Sequence, residues 1–170
     1  GGVYVSDGSA WLSGTHVVAN SAAQGGGVHI SLTGARLEAS GSTIDRNSAE
    51  EGGGVYIFKG IATLARTEVI SNSASSCGGG VYVLYDTGTL DASGGRISSN
   101  SAEEGGAVYT LLGSVTMTGT QVTANSASDY GGGMYVLLGR ATMTGTHVLS
   151  NSARLSGGAF YLHSSAAAIT

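Results

Sequence analysis

A chain of 170 residues with a net charge of −4, 11% charged residues, 30 Gly and no Pro excludes several classes of protein. Its seven basic residues form no stripe for nucleic acid, and no apolar run reaches the ~18 residues of a membrane helix. The single Cys77 leaves neither an internal disulfide nor a cysteine-based metal site, yet an apolar fraction of 41% is too high for a Gly/Ser linker and demands a core.

No charged region followed by an apolar stretch opens the chain, so the sequence carries no signal peptide of its own. From the first residue onward the sequence repeats. Asn-Ser-Ala recurs with its Asn at 20, 47, 72, 100, 125 and 151, at spacings of 27, 25, 28, 25 and 26 residues. Cut at the glycine clusters, the units start near residues 1, 25, 52, 78, 105, 131 and 157, the last one partial. They cover residues 1–170 as one array, with no linker and no second domain.

Each unit opens on a strand of alternating apolar residues, such as Val28-His29-Ile30, Val55-Tyr56-Ile57, Val81-Tyr82-Val83 and Met134-Tyr135-Val136. A second strand follows a turn and centres on Leu12, Leu37, Leu64, Leu90, Met117 or Met143. A third carries Val17, Ile44, Val69, Ile97, Val122 or Val148, three residues before the Asn. The strands are rich in Val, Ile, Thr and Tyr, and no segment shows helical apolar spacing. Three short strands per unit predict an all-β solenoid, a parallel β-helix of about 6.5 coils of ~26 residues. At the ~4.8 Å spacing of paired strands such a rod is roughly 30 Å long. A leucine-rich repeat has a similar period, but its Leu-x-x-Leu-x-Leu run is absent.

Inward columns then follow. Val3, Val28, Val55, Val81, Val108, Met134 and Phe160 stand above one another, and the Leu/Met and β-branched columns complete a thin core. Gly serves the corners, and Pro is absent because it would delete a ladder donor. The Asn column (Asn20, Asn47, Asn72, Asn100, Asn125, Asn151) reads as a structural ladder of stacked amides. The following Ala column reads as a small residue where the corner turns. Every Asn is followed by Ser-Ala, so no N-glycosylation sequon exists. The chain begins and stops inside a repeat with no polar cap, which suggests a piece of a longer rod or end-to-end stacking.

The stretches "NSAEEGGGVYI", "NSASSCGGGVYV" and "NSAEEGGAVYT" resemble the repeats of the chlamydial polymorphic membrane proteins. Their Gly-Gly-Ala-Ile-like motif is matched at Gly105-Gly106-Ala107-Val108. Their Phe-x-x-Asn motif appears with Val or Ile in place of Phe, as in Val69-Ile70-Ser71-Asn72. The resemblance implies a right-handed, pectate-lyase-like β-helix at a cell surface or outside the cell, acting as an autotransporter passenger or adhesin.

Chemistry is hard to assemble from these residues. Glycosidic hydrolysis needs paired carboxylates at about 5–9.5 Å, and the outward column of the first strand holds none. Glu38 and Asp91 fall two coils apart with Ala65 between them, and Glu50-Glu51 and Glu103-Glu104 stand in variable turns. His16 and His147 lie five coils apart. The pairs Thr116/Thr118 and Thr142/Thr144 suggest a flat ice-binding array. The same columns carry Trp11/Ser13, Arg36/Glu38, Thr63/Ala65 and Thr89/Asp91, which is too irregular for one. No catalytic residue, metal ligand or cofactor site emerges, and the chain reads as a non-enzyme.

One feature does not fit a bland rod. If Val81 and Val83 point inward, Tyr82 and Leu84 point outward. The same parity places Tyr56/Phe58, Tyr109/Leu111 and Tyr135/Leu137 on that face. Such a stripe is large enough to mark a contact surface, although stacked Tyr also satisfy one another. The sequence therefore predicts a structural or adhesive surface module that binds a protein partner or itself, with a filament block and glycan binding as further candidates. The alternative is a carbohydrate-binding or polysaccharide-degrading β-helix whose catalytic coils lie outside these residues.

Overall fold

The computed structural model describes residues 1–170 and contains strands, turns and no helix. Four parallel sheets run the length of the molecule, of seven, seven, six and five strands. The coil beginning at Gly78 shows the plan. Val81–Leu84 lies in the first sheet, Thr89–Ser93 in the second, Arg96–Ser98 in the third and Ser101–Glu104 in the fourth. Each strand pairs with its equivalents one coil before and one coil after, so Val81 stands between Val55 and Val108.

Three strands per coil are those expected, and the fourth is an addition. It runs through Ser48–Glu51, Ser73–Cys77, Ser101–Glu104, Ser126–Tyr130 and Ser152–Ala153, stretches that read as corner and variable turn. Polar, small residues hide a strand when only one side chain per rung, the buried Ala49, Ala74, Ala102 or Ala127, faces the core. Its register shifts between Ala74 and Cys77, because a bulge absorbs the extra residue there. The segment Ser128-Asp129-Tyr130 is thus paired strand.

The core follows the predicted first and third columns. Val28, Val55, Val81, Val108 and Met134, with Ile44, Val69, Ile97 and Val122, are at most 1% exposed. The second strand needs a correction. Leu12, Leu37, Leu64, Leu90, Met117 and Met143 do not form one column: Leu37 pairs with Ala10 and Ala62, while Leu12 pairs with Ala39. Two inward columns therefore alternate large and small: Ala10-Leu37-Ala62-Leu90 and Leu12-Ala39-Leu64-Ala92. The cause is corner length. From Ile30 to Leu37 and from Val83 to Leu90 the chain takes seven residues, where Val5 to Ala10 takes five. Two extra residues preserve the inward parity of a period-2 strand but move the Leu to the neighbouring site. Each of these four coils still carries one Leu and one Ala, which keeps the core volume nearly constant.

The same shift revises the outward columns. Thr63, and not Ala65, stands between Glu38 and Asp91. Glu38/Ser40 and Asp91/Ser93, and not Arg36/Glu38 and Thr89/Asp91, align with Trp11/Ser13, Thr63/Ala65, Thr116/Thr118 and Thr142/Thr144.

Two polar columns hold the corners. Between the third and fourth sheets the residue before each Asn is left-handed and not Gly: Ala19, Arg46, Ser71, Ser99, Ala124 and Ser150 all have φ of 53–56°. The Asn amides link these corners. Asn72 Nδ2 donates to Asn100 Oδ1 at 3.1 Å and to the Ile44 carbonyl at 2.9 Å, while its backbone N–H donates to the same Asn100 oxygen. The pattern runs from Asn20 to Asn151. A second column, not foreseen, lies at the corner between the second and third sheets. There Ser42, Thr67 and Thr120 donate their hydroxyls to the Leu12, Ala39 and Ala92 carbonyls of the previous coil. Glycine is required between the fourth and first sheets, where a Cβ on Gly53 would press into the Ser73 carbonyl oxygen.

One core position breaks the polar accounting. Thr110 takes the inward place of Val83 and Val136, is fully buried, and its hydroxyl has no hydrogen-bond partner. Thr110→Val should therefore raise stability by about 1 kcal/mol, since it removes an unsatisfied buried hydroxyl at constant shape. A denaturation midpoint at or below wild type would refute that. Asn100→Ala should cost about 2–4 kcal/mol, because the Asn72 donors and the Val69 carbonyl lose their partner inside the corner. Urea unfolding of both variants measures these effects on one scale.

Candidate functional site: the outer face of the first sheet

The first strand of each coil places Tyr4, His29, Tyr56, Tyr82, Tyr109, Tyr135 and Tyr161 in one register column. Their rings meet edge to face, with centroids 4.9–5.2 Å apart at every step, the preferred geometry of aromatic pairs. Parity puts them outside the coil. Even so, Tyr56, Tyr82, Tyr109 and Tyr135 are only 1–7% exposed.

Two flanking columns cover them. On one side lie Cys77 and Tyr130 from the fourth sheet, and on the other Phe58, Leu84, Leu111 and Leu137. Gln24 adds a hydrogen bond to the Tyr56 hydroxyl at 3.3 Å. The tyrosines thus form a second, external core built on the fourth strand. Phe58, Leu84, Leu111 and Leu137 are half-buried, so of the eight stripe residues only these four meet solvent appreciably.

The apolar surface continues one residue further. At the corner into the second sheet, Tyr85, Leu112 and Leu138 are 38%, 44% and 52% exposed, and all three are left-handed, with φ of 70°, 65° and 55°. The equivalent residue of the last coil, Ser164, is left-handed too, at 48°, while in the first two coils Gly8 and Gly34 take positive φ one and two residues further along the corner. A bulky side chain in this conformation is strained. Lys59 lies over both the Phe58 and Tyr85 rings, at 5.2 and 5.1 Å. We call this row, from Phe58 to Leu138, the ledge. Sequence parity could not locate the corner residues, because they belong to no strand alternation.

The ionisable groups here are tuned by burial. Cys77 is pushed up to about 11 by desolvation, against a hydrogen bond with Ser76 and reinforced by Glu104, Glu51 and Glu103, so it is a neutral thiol at pH 7. Glu104 is raised by burial and then by Glu103. Burial also raises Tyr56, Tyr82 and Tyr109. His29 is lowered, first by burial and then by the chain's N-terminal charge, while a hydrogen bond to the Gln24 backbone opposes the shift. No three His, Cys, Asp or Glu side chains converge. His16 and His147 stand at opposite ends of the third sheet's column, and Glu38 and Asp91 remain two coils apart. No helix is long and apolar enough to cross a membrane.

A family model described as a right-handed β-helix region matches residues 1–169, and the chain belongs to that family. No curated protein and no solved structure matches it.

His29 supplies a pH test of the aromatic column. An imidazole whose pKa falls on folding binds fewer protons folded than unfolded, so stability rises with pH and is lost as pH drops below about 6.5. His29→Tyr should flatten the loss of urea midpoint between about pH 7.5 and pH 5. An unchanged pH slope in the variant would place the effect elsewhere.

Proposed function

We propose that this member of the right-handed β-helix family is a non-catalytic structural rod of the cell surface that associates with further copies of itself along the ledge. The observation that carries this is the conformation of Tyr85, Leu112 and Leu138. Three large side chains sit exposed and left-handed on consecutive coils, where the next coil puts the small, polar Ser164 in the same conformation. Strain of this kind costs of order 1–2 kcal/mol per residue, and here, unlike at the left-handed residues before each Asn, no side-chain ladder offsets it, which points to a role for the surface.

A second copy is the fitting occupant. The ledge is a row of side chains repeating at the coil spacing, and only a surface with the same ~4.8 Å rise meets it coil by coil. Lys59 packs over the aromatic end of the row, while Asp86 and Arg140 flank the Leu112–Leu138 half with opposite charges. The resemblance to polymorphic membrane protein repeats supports the surface location. A half-buried, neutral Cys77 thiol and carboxylates separated by two coils support a non-catalytic reading of these residues.

Sedimentation velocity over a concentration series up to about 1 mM tests this. Wild type should assemble with rising concentration, and Leu112→Ser with Leu138→Ser should remain monomeric with an unchanged circular dichroism spectrum. A monomeric wild type, or a double variant that assembles equally well, would refute the proposal. Tyr82 and Tyr109 are unsuitable probes, because their replacement opens the external core itself.

A further inference from the structure

The charges beside the ledge have a direction. Asp86 and Arg140 are both exposed and line one recess of about 260 Å³ next to Leu112 and Leu138. Neither enters any of the chain's three ion pairs. Asp86 follows Tyr85 in the turn before Thr89–Ser93, and Arg140 opens the strand Arg140–Thr144. Arg140 pairs with Ser114 and Ser114 with Thr89, so the two charges lie two coils apart, about 10 Å along the rod. Leu112 stands on the coil between them. Both charges are on the second-sheet side of the ledge.

Two copies meeting face to face across the ledge are related by a two-fold axis in the contact plane, and there are two choices of axis. With the axis along the rod the copies run parallel. Each residue then stays level with its own duplicate, Asp86 with Asp86, Arg140 with Arg140 and Lys59 with Lys59. The second-sheet side of one copy faces the first-sheet side of the other, so each charge loses water against the Leu111/Leu137 column and gains no opposite charge. Sliding parallel copies by two coils uncovers half of the apolar row. With the axis across the rod at Leu112 the copies run antiparallel, and second-sheet side faces second-sheet side. Coil heights invert about Leu112. Asp86 then faces Arg140 of the second copy, and Arg140 faces its Asp86. Tyr85 meets Leu138, and Leu112 meets its own duplicate. Lys59, which holds the place of Tyr85 one coil earlier, meets Ser164 and no cation.

We infer that the ledge pairs two copies antiparallel, as a closed dimer held in register by reciprocal Asp86–Arg140 ion pairs around an apolar centre at Leu112. The inference rests on self-association along the ledge and adds its direction, register and end point. A two-fold contact uses the same patch on both copies and leaves no ledge free, so assembly stops at two. The apolar row supplies the attraction, but it repeats at every coil and by itself permits slips. A slip by one coil parts Asp86 from Arg140 and leaves all four charges of the pair unmatched. Charge therefore selects one register among several that the apolar contact allows.

Sedimentation velocity at low salt, where the charges are least screened, separates monomer, dimer and larger species. Wild type should pass from monomer to dimer with rising concentration and go no further. Asp86→Arg and Arg140→Asp each set like charges against one another at both ends of the antiparallel pair, and each should weaken dimerisation roughly tenfold or more. Combined in one chain they exchange the two charges, and the dimer should return to within about threefold of wild type. Both side chains are exposed, so circular dichroism should not change. If a reversal unfolds the chain, Asp86→Asn and Arg140→Gln remove the charge alone and should each weaken pairing several-fold. A wild type that stays monomeric overturns self-association and this inference together. Growth beyond the dimer, single variants that pair as tightly as wild type, or a double variant no better than the singles overturns the antiparallel dimer alone.

Discussion

The structure depends on the Asn column at the corner between the third and fourth sheets. Each rung there forces a non-glycine residue into the left-handed region, at a cost of about 1–2 kcal/mol. Against this, the amide of Asn72 both donates across to Asn100 and reaches back to the Ile44 carbonyl, while its oxygen accepts from the Asn47 backbone and side chain. At ~0.5–1.5 kcal/mol per bond, the three bonds that each buried rung adds (for Asn72, two to Asn100 and one to Ile44) outweigh the strain. The alternative, an open corner with unpaired carbonyls in a dry interior, is worse still. The ladder therefore wins, and it fixes where each coil sits on the last.

Once the coils are locked in register, every outward choice is copied upward. A tyrosine placed on the first strand meets a tyrosine, and the column becomes a second core only because the fourth strand supplies Cys77 and Tyr130 as its wall. The ledge grows from the same rule, since Phe58, Leu84, Leu111 and Leu137 are stacked neighbours. Corners are the free variable. They lengthen by two residues without disturbing the inward parity, which lets surface loops such as Tyr85-Asp86-Thr87-Gly88 vary while the core does not.

What the sequence reveals follows the same division. The Val and Asn columns were legible because one residue type recurs at one offset in every unit. The second strand was not, because a two-residue corner insertion leaves the apolar pattern intact while exchanging Leu37 for Ala39 at a given core site. The fourth strand was illegible because Ser, Ala and Glu carry no strand signature. Missing that strand also hid the burial of Tyr82 and Tyr109, since parity alone puts them outside. Leu112 and Leu138 were invisible for a related reason: a left-handed corner breaks the alternation by which side chains are assigned to a face. The stripe residues thus divide into a structural half, the tyrosines, and a solvent-facing half continued by the corner.

Hydrogen exchange at the Asn side chains tests the ladder most directly. Both Nδ2 hydrogens of Asn47, Asn72, Asn100 and Asn125 are bonded, so NMR should find them protected as strongly as the core strand amides of Val81 and Val108. Side-chain amides exchanging at the rate of free asparagine would contradict the account, and the corners would then have to be held by something other than the ladder.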